Sequence, residues 1–170
     1  DKTEATVIVD FSIGKSGVSN DVACQVGYGA LLRSYSYNKY ITGAAESKKP
    51  SKELKSLTLM VANPTTSLRR FRKFSSIADG VNFSRDLVSE PSNVKSPKWM
   101  SRQCRKLSKL GVKVEVLGES QMRKLSMNAL LGVGQGSVRE SQCVVMSWNG
   151  GKSKDKPLAL VGKGVTFDTG

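Results

Sequence analysis

Apolar positions recur along this chain with two different periods. Alternation runs through "ATVIVDFSIG" (5–14), "LKSLTLMVAN" (54–63) and "VKVEVLG" (112–118), and each stretch predicts a strand. Spacing near 3.6 predicts helices elsewhere. Asn20 is placed to cap a helix over 21–40, with Ala23, Val26, Ala30, Leu31 and Tyr35 on one stripe. A polar loop follows over 41–53. Pro64 stops the second strand, and a helix is expected over 67–90, its stripe made by Ile77, Val81, Leu87 and Val88 and its end set by Pro91. Ser96-Pro97 opens a further helix reaching Gly111, with Pro97 at the first helical position and the glycine as the stop signal. A short helix is predicted over "ESQMRKLSM" (119–127). Two more strands, "CVVMSWNG" (143–150) and "PLALVGKG" (157–164), are expected on either side of the charged turn "GGKSKDK". From Pro97 onward strands and helices alternate, so the fold class is α/β.

Composition narrows the function classes. A chain of 170 residues makes one domain, or one domain and part of another. A hydrophobic fraction of 38% and a mean hydropathy of -0.29 allow a modest core. No apolar run approaches the roughly 18 residues of a membrane span, so no membrane partner is expected. The first residues show no signal-peptide pattern, and the expected compartment is the cytoplasm. Cys24, Cys104 and Cys143 are odd in number and far apart, which predicts reduced thiols and neither a zinc ribbon nor a disulfide framework. Histidine is absent. That removes Ser-His-Asp triads, Cys-His dyads and His-ligated metals from this stretch, leaving carboxylates or less usual ligands.

The charge is strongly positive, with 27 Lys and Arg against 14 Asp and Glu. "RRFRK" (69–73) and "RQCRKLSKLGVK" (102–113) hold much of it. Such a surface attracts phosphate. Only Phe71 interrupts the first run, so the interleaved aromatics of a single-strand stacking platform are missing. A solvated basic face is the plainer reading, and nucleic acid stays open as the alternative partner.

Two glycine-rich stretches fail as nucleotide motifs. In "LLGVGQGS" (130–137) Ser137 stands where a dinucleotide fingerprint needs its last glycine, and no clear helix follows. The stretch reads as a tight loop where backbone or ligand comes close. "NGGKS" has Met146 in place of the first glycine of a phosphate loop and reads as a turn.

The terminal "LALVGKGVTFDTG" poses a different problem. Lys163 is expected at the end of a buried strand, where an ammonium needs a partner. Taken alone, it reads as a lysine reaching the surface, with Asp168 in a turn. Residues five apart on an ideal strand lie roughly 16 Å apart and point to opposite faces. For Lys163 and Asp168 to meet, the chain must bend between them, and Gly164 supplies the place. Convergence at the carboxyl end of a strand is the usual position of an α/β active site.

These residues carry a resemblance. "LVGKGVTFDTG" looks like the metal-binding strand and turn of the leucine aminopeptidase (cytosol aminopeptidase) family. The likeness extends upstream through "VVMSWNGG", "MNALLGVGQGS" and "RDLVSEPSNVKSP", in the family's order and spacing, and more weakly to "GYGALLRSYSYNKY". It implies an incomplete chain: the end of a small α/β N-terminal domain (1–74), a linker helix (75–95), and the first strands and helices of a mixed-sheet, zinc-exopeptidase-like catalytic domain (96–170). It further implies two divalent ions, manganese or zinc, with Lys163 ligating one and Asp168 bridging both. A lysine ligates only as the neutral amine, and removing its proton at pH 7 costs about 4.6 kcal/mol from an ordinary pKa near 10.4. A doubly charged ion can offset that cost. A pair of such ions polarises a carbonyl and activates water. The implied reaction releases N-terminal residues, leucine preferentially, from peptides, and the implied assembly is a homohexamer. The family's remaining ligands and its catalytic lysine and arginine match no position here, so no catalytic residue is assigned within the chain, and the 170-residue piece alone is expected to be inactive. The alternative is a non-catalytic scaffold or nucleic-acid-binding protein built on the same fold.

Overall fold

A computed structural model describes residues 4–8, 20–43, 56–61, 63–152 and 155–167. The chain divides into two compact units, 1–89 and 90–170. It is mixed helix and sheet, as the α/β class requires.

The first unit begins with strand β1 (Glu4–Ile8), helix α1 (Asn20–Arg33) and strand β2 (Ser56–Met60). The two strands pair in parallel, from Glu4 opposite Ser56 to Ile8 opposite Met60. Parallel pairing demands a crossover, and α1 lies within it. Helix α2 (Pro64–Ser89) follows. It starts three residues earlier than the pattern predicts, because Asn63 caps it: the Asn63 Oδ1 accepts from the Thr66 amide at 3.0 Å, and Pro64 occupies the first helical position. The proline that stops the strand therefore also opens the helix.

α1 ends at Arg33, not near Tyr40. Arg85 supplies the reason, donating from Nη1 to the Leu32 carbonyl at 2.7 Å and satisfying one of the helix's terminal acceptors. The same guanidinium sits 5.4 Å from the centre of the Tyr35 ring, while the Tyr35 hydroxyl donates to Asp86 Oδ1 at 2.9 Å. Lower down, Tyr28 and Phe74 meet with ring centres 5.7 Å apart.

The buried faces of both helices differ from the expected stripes. Ala23, Cys24 and Gly27 turn inward on α1, and Val26 is exposed. On α2 the inward line runs through Ser67, Phe71, Phe74 and Ala78, while Ile77 and Val88 are exposed. Small residues decide the packing. A Cβ added at Gly27 would come within 2.8 Å of the Phe71 ring, so this glycine is what lets α2 approach.

The second unit opens with helix α3 (Pro97–Lys106). Ser96 caps it as expected, its Oγ accepting from the Trp99 amide at 3.2 Å. A 3-10 turn over Leu107–Leu110 tightens the end, and Gly111 closes it with φ of 86°. Strand β3 (Lys113–Leu117), helix α4 (Glu119–Lys124), helix α5 (Asn128–Gly134) and strand β4 (Cys143–Ser147) complete the unit. β3 and β4 pair antiparallel, Lys113 opposite Ser147 and Leu117 opposite Cys143. The core here holds Leu117 and the fully buried Met122.

Two expectations fail in this unit. The glycine-rich stretch is not all loop, since its first half belongs to α5. Its close approach is nonetheless real at Gly134, where an added Cβ would collide with Ser141 Oγ. The strand expected over 157–164 is absent. Residues 156–165 adopt no regular structure, and Leu158, Leu160 and Val161 are 86%, 88% and 99% exposed. Apolar residues on both faces of a strand require pairing and a covering layer, and no described residue supplies either. Lys163 is therefore not at the end of a buried strand.

Candidate functional site

Three of the four sequence motifs come together in the second unit. The turn after α2 is closed by the amides of Val94 and Lys95 donating to the Pro91 carbonyl at 3.1 and 2.9 Å. Arg139, beyond α5, donates to the neighbouring carbonyls of Ser92 and Asn93 at 3.4 and 3.3 Å. Glu119 holds the approach to β4: its Oε1 accepts from the Ser141 amide at 3.1 Å and its Oε2 from Arg123 at 3.0 Å. The Gln121 side chain accepts from the Gly118 amide at 3.0 Å, fixing the start of α4 that presents Glu119. This network delivers the chain into β4 in register with β3.

Sequence reasoning missed Arg139 and Glu119. The four-residue spacing of Glu119 and Arg123 was a readable signal for their ion pair. Nothing local marks Arg139, because its acceptors are backbone carbonyls some 46 residues away.

The fourth motif stands apart. Lys163 is exposed in the irregular segment, and no described residue bonds to it. Asp168 lies outside the described residues. Among the described residues, no carboxylate bonds Lys163. Asp155 is occupied elsewhere, its Oδ2 accepting from the Lys152 amide at 3.1 Å in the preceding turn. Among the described residues no three His, Cys, Asp or Glu side chains gather where an ion could sit. One primary amine does not hold two doubly charged ions, so the described donors do not make the implied centre by themselves.

The first unit has a cavity of about 510 Å³ bounded by α1, β2 and α2, with Ala23, Cys24, Leu57, Leu59 and Phe71 on its walls. Burial pushes the Cys24 thiol up, with the Asp21 carboxylate adding to it, and the thiol donates to the Ser67 carbonyl at 3.4 Å. That is the state of an inert core cysteine. All three cysteines are free thiols, as expected. No helix among the described residues is long and apolar enough to cross a membrane.

Comparisons with known proteins bear on the motif-bearing half. The profile described as "Cytosol aminopeptidase family, catalytic domain" matches residues 82–170. A probable cytosol aminopeptidase of Chelativorans sp. (strain BNC1) is 48% identical over 167 residues, which is 98% of this chain and 33% of that protein. One from Brucella ovis is 44% identical over 164 residues, covering 96% and 33% respectively. The chain spans about a third of the length of these curated relatives. Among solved structures, the bottromycin maturation enzyme BotP in complex with Mn superposes with a TM-score of 0.65 over 85% of this chain and 29% of its own, at 22% identity. That likeness is one of fold.

Proposed function

Because this chain belongs to the cytosol aminopeptidase family, we propose that the full-length protein is a metal-dependent aminopeptidase that removes N-terminal residues, leucine preferentially, from peptides in the cytoplasm. The observation that carries this reading is the catalytic-domain match over residues 82–170, a span that includes both Lys163 and Asp168. In the proposal, residues 1–74 end an N-terminal domain, 75–95 form a linker and 96–170 begin the catalytic domain.

Lys163 and Asp168 are proposed as two of the donors to a pair of divalent ions, manganese or zinc, whose bound presence would supply Lewis acidity and activate water. Gly164 provides the bend that turns both side chains to one point. Lys163 would serve as a neutral amine and Asp168 as a carboxylate spanning the pair. The remaining donors and the catalytic residues come from chain beyond this stretch, so residues 1–170 alone are proposed to be inactive. The active assembly is proposed as a homohexamer.

The test uses the purified full-length protein, leucine amide and a titration of manganese and zinc. Asp168→Ala is expected to abolish turnover and to release bound metal. A variant that keeps wild-type turnover and metal content would sink the proposal. Sedimentation of the active enzyme as a monomer would remove the hexamer from it.

A further inference from the structure

We propose that Asn149 and Gly150 form a self-modifying site, where the asparagine converts without an enzyme into an aspartyl or isoaspartyl residue. The "NGGKS" stretch that fails as a phosphate loop carries this chemistry instead. Asn149 is the one asparagine in the chain that precedes a glycine. The glycine matters because it has no Cβ to block its own amide nitrogen from approaching the preceding side chain. Asparagine is among the chemically labile residues for this reason.

The step is a cyclisation. The Gly150 amide nitrogen gives its proton to solvent and attacks the Asn149 Cγ. A bond forms between that nitrogen and Cγ, the Cγ–Nδ2 bond breaks, and ammonia leaves with a proton taken from water. The product is a cyclic imide, and water then adds to either of its carbonyls. Opening at Cγ restores the ordinary backbone and leaves an aspartyl side chain. Opening at the Asn149 main-chain carbonyl routes the chain through Cγ, so the backbone lengthens by a methylene. Water is the only co-reactant.

The structure leaves this step unhindered. Asn149 and Gly150 are exposed and stand outside regular structure just after β4. Among the described residues neither the Asn149 side chain nor the Gly150 amide makes a hydrogen bond. An amide held by a carbonyl would have to give up that bond before attacking. Other asparagines lack this combination. Pro64 gives Asn63 no following N–H. The Val94 amide after Asn93 donates to the Pro91 carbonyl at 3.1 Å, and its β-branched side chain crowds the approach. Asn82 lies inside α2, where main-chain bonds hold the backbone helical. Asn38 donates from Nδ2 to the Ser36 Oγ at 2.9 Å. The glycine is also set by its neighbour: a Cβ added at Gly150 would collide with the Trp148 ring, so with the indole seated there position 150 has no room for a side chain. This inference does not depend on peptidase activity.

The experiment stores the purified full-length protein in neutral buffer and samples it over days. Each sample is digested with trypsin in heavy-oxygen water, which marks any conversion that happens during the digest. The peptide from Glu140 to Lys152 is expected to gain the mass of an acid replacing an amide and to split into aspartyl and isoaspartyl forms. Peptides holding Asn38, Asn82 and Asn93 should keep their amides. Conversion should run faster in mildly alkaline buffer, because the attacking nitrogen must lose its proton. Asn149→Gln should abolish it, since the longer side chain closes the ring poorly, and Gly150→Ala should slow it. A Glu140–Lys152 peptide that keeps its amide in the folded protein would overturn the proposal, whether or not the urea-unfolded chain converts. Equal conversion at Asn38 or Asn93 would overturn it as well, because the turn after β4 would then have no special part.

Discussion

Residues 97–117 and residues 156–167 are similarly rich in apolar side chains, yet they adopt opposite states. The first stretch is tied down at every boundary. Ser96 caps its helix, Gly111 takes the left-handed turn, and β3 finds β4 in antiparallel register. Among the described residues the second finds no cap, no pairing and no cover, and Val161 is almost fully exposed. Apolar composition therefore does not by itself produce structure. Alternating apolar residues offer a face, and a neighbouring element has to close over it before burial stabilises anything.

Substitutions in the 170-residue chain can sharpen this contrast, with urea unfolding of the second unit as the measurement. The largest effect is expected at Met122, fully buried beneath β3: Met122→Ala should cost about 2–5 kcal/mol through lost burial and the cavity left behind. A value under 0.5 kcal/mol would show that this core is not packed as described. Gly111→Val forces a β-branched residue to adopt φ of 86°, and the expected loss is about 1–2 kcal/mol. Ser96→Ala removes the side-chain acceptor for the Trp99 amide and should cost about 1 kcal/mol, with Ser96→Asp retaining most of the stability. At the other pole, Val161→Ser should change stability by less than about 0.5 kcal/mol. A loss comparable to Met122→Ala would break the comparison, since it would mean that the segment is packed in solution.

Legibility followed the range of the interactions involved. The start of α3, its glycine stop, and strands β3 and β4 were readable because their signals lie within a few residues of one another. Asn63 carries an equally local signal, a capping side chain directly before the proline that opens α2. The candidate site was readable as a pattern, in the order of four motifs and in the pairing of Lys163 with Asp168. It was not readable as geometry. The described structure assembles the first three motifs through Arg139 and Glu119, and leaves Lys163 in an irregular segment.

The sequence by itself determined the α/β class, the Ser96 cap, the free thiols and the resemblance that names the family. Each depends on residue type at fixed local spacing, which needs no knowledge of distant chain. Tertiary structure alone decided where α1 stops, because the group that takes up its Leu32 carbonyl belongs to Arg85, 53 residues on. It chose Ser67 and Ala78 over Ile77 and Val88 as the inward residues of α2, because close helix approach favours small side chains over the most apolar ones. It also withheld the strand at 157–164. A buried strand is stable only in company, and its partners cannot be read from its own eight residues.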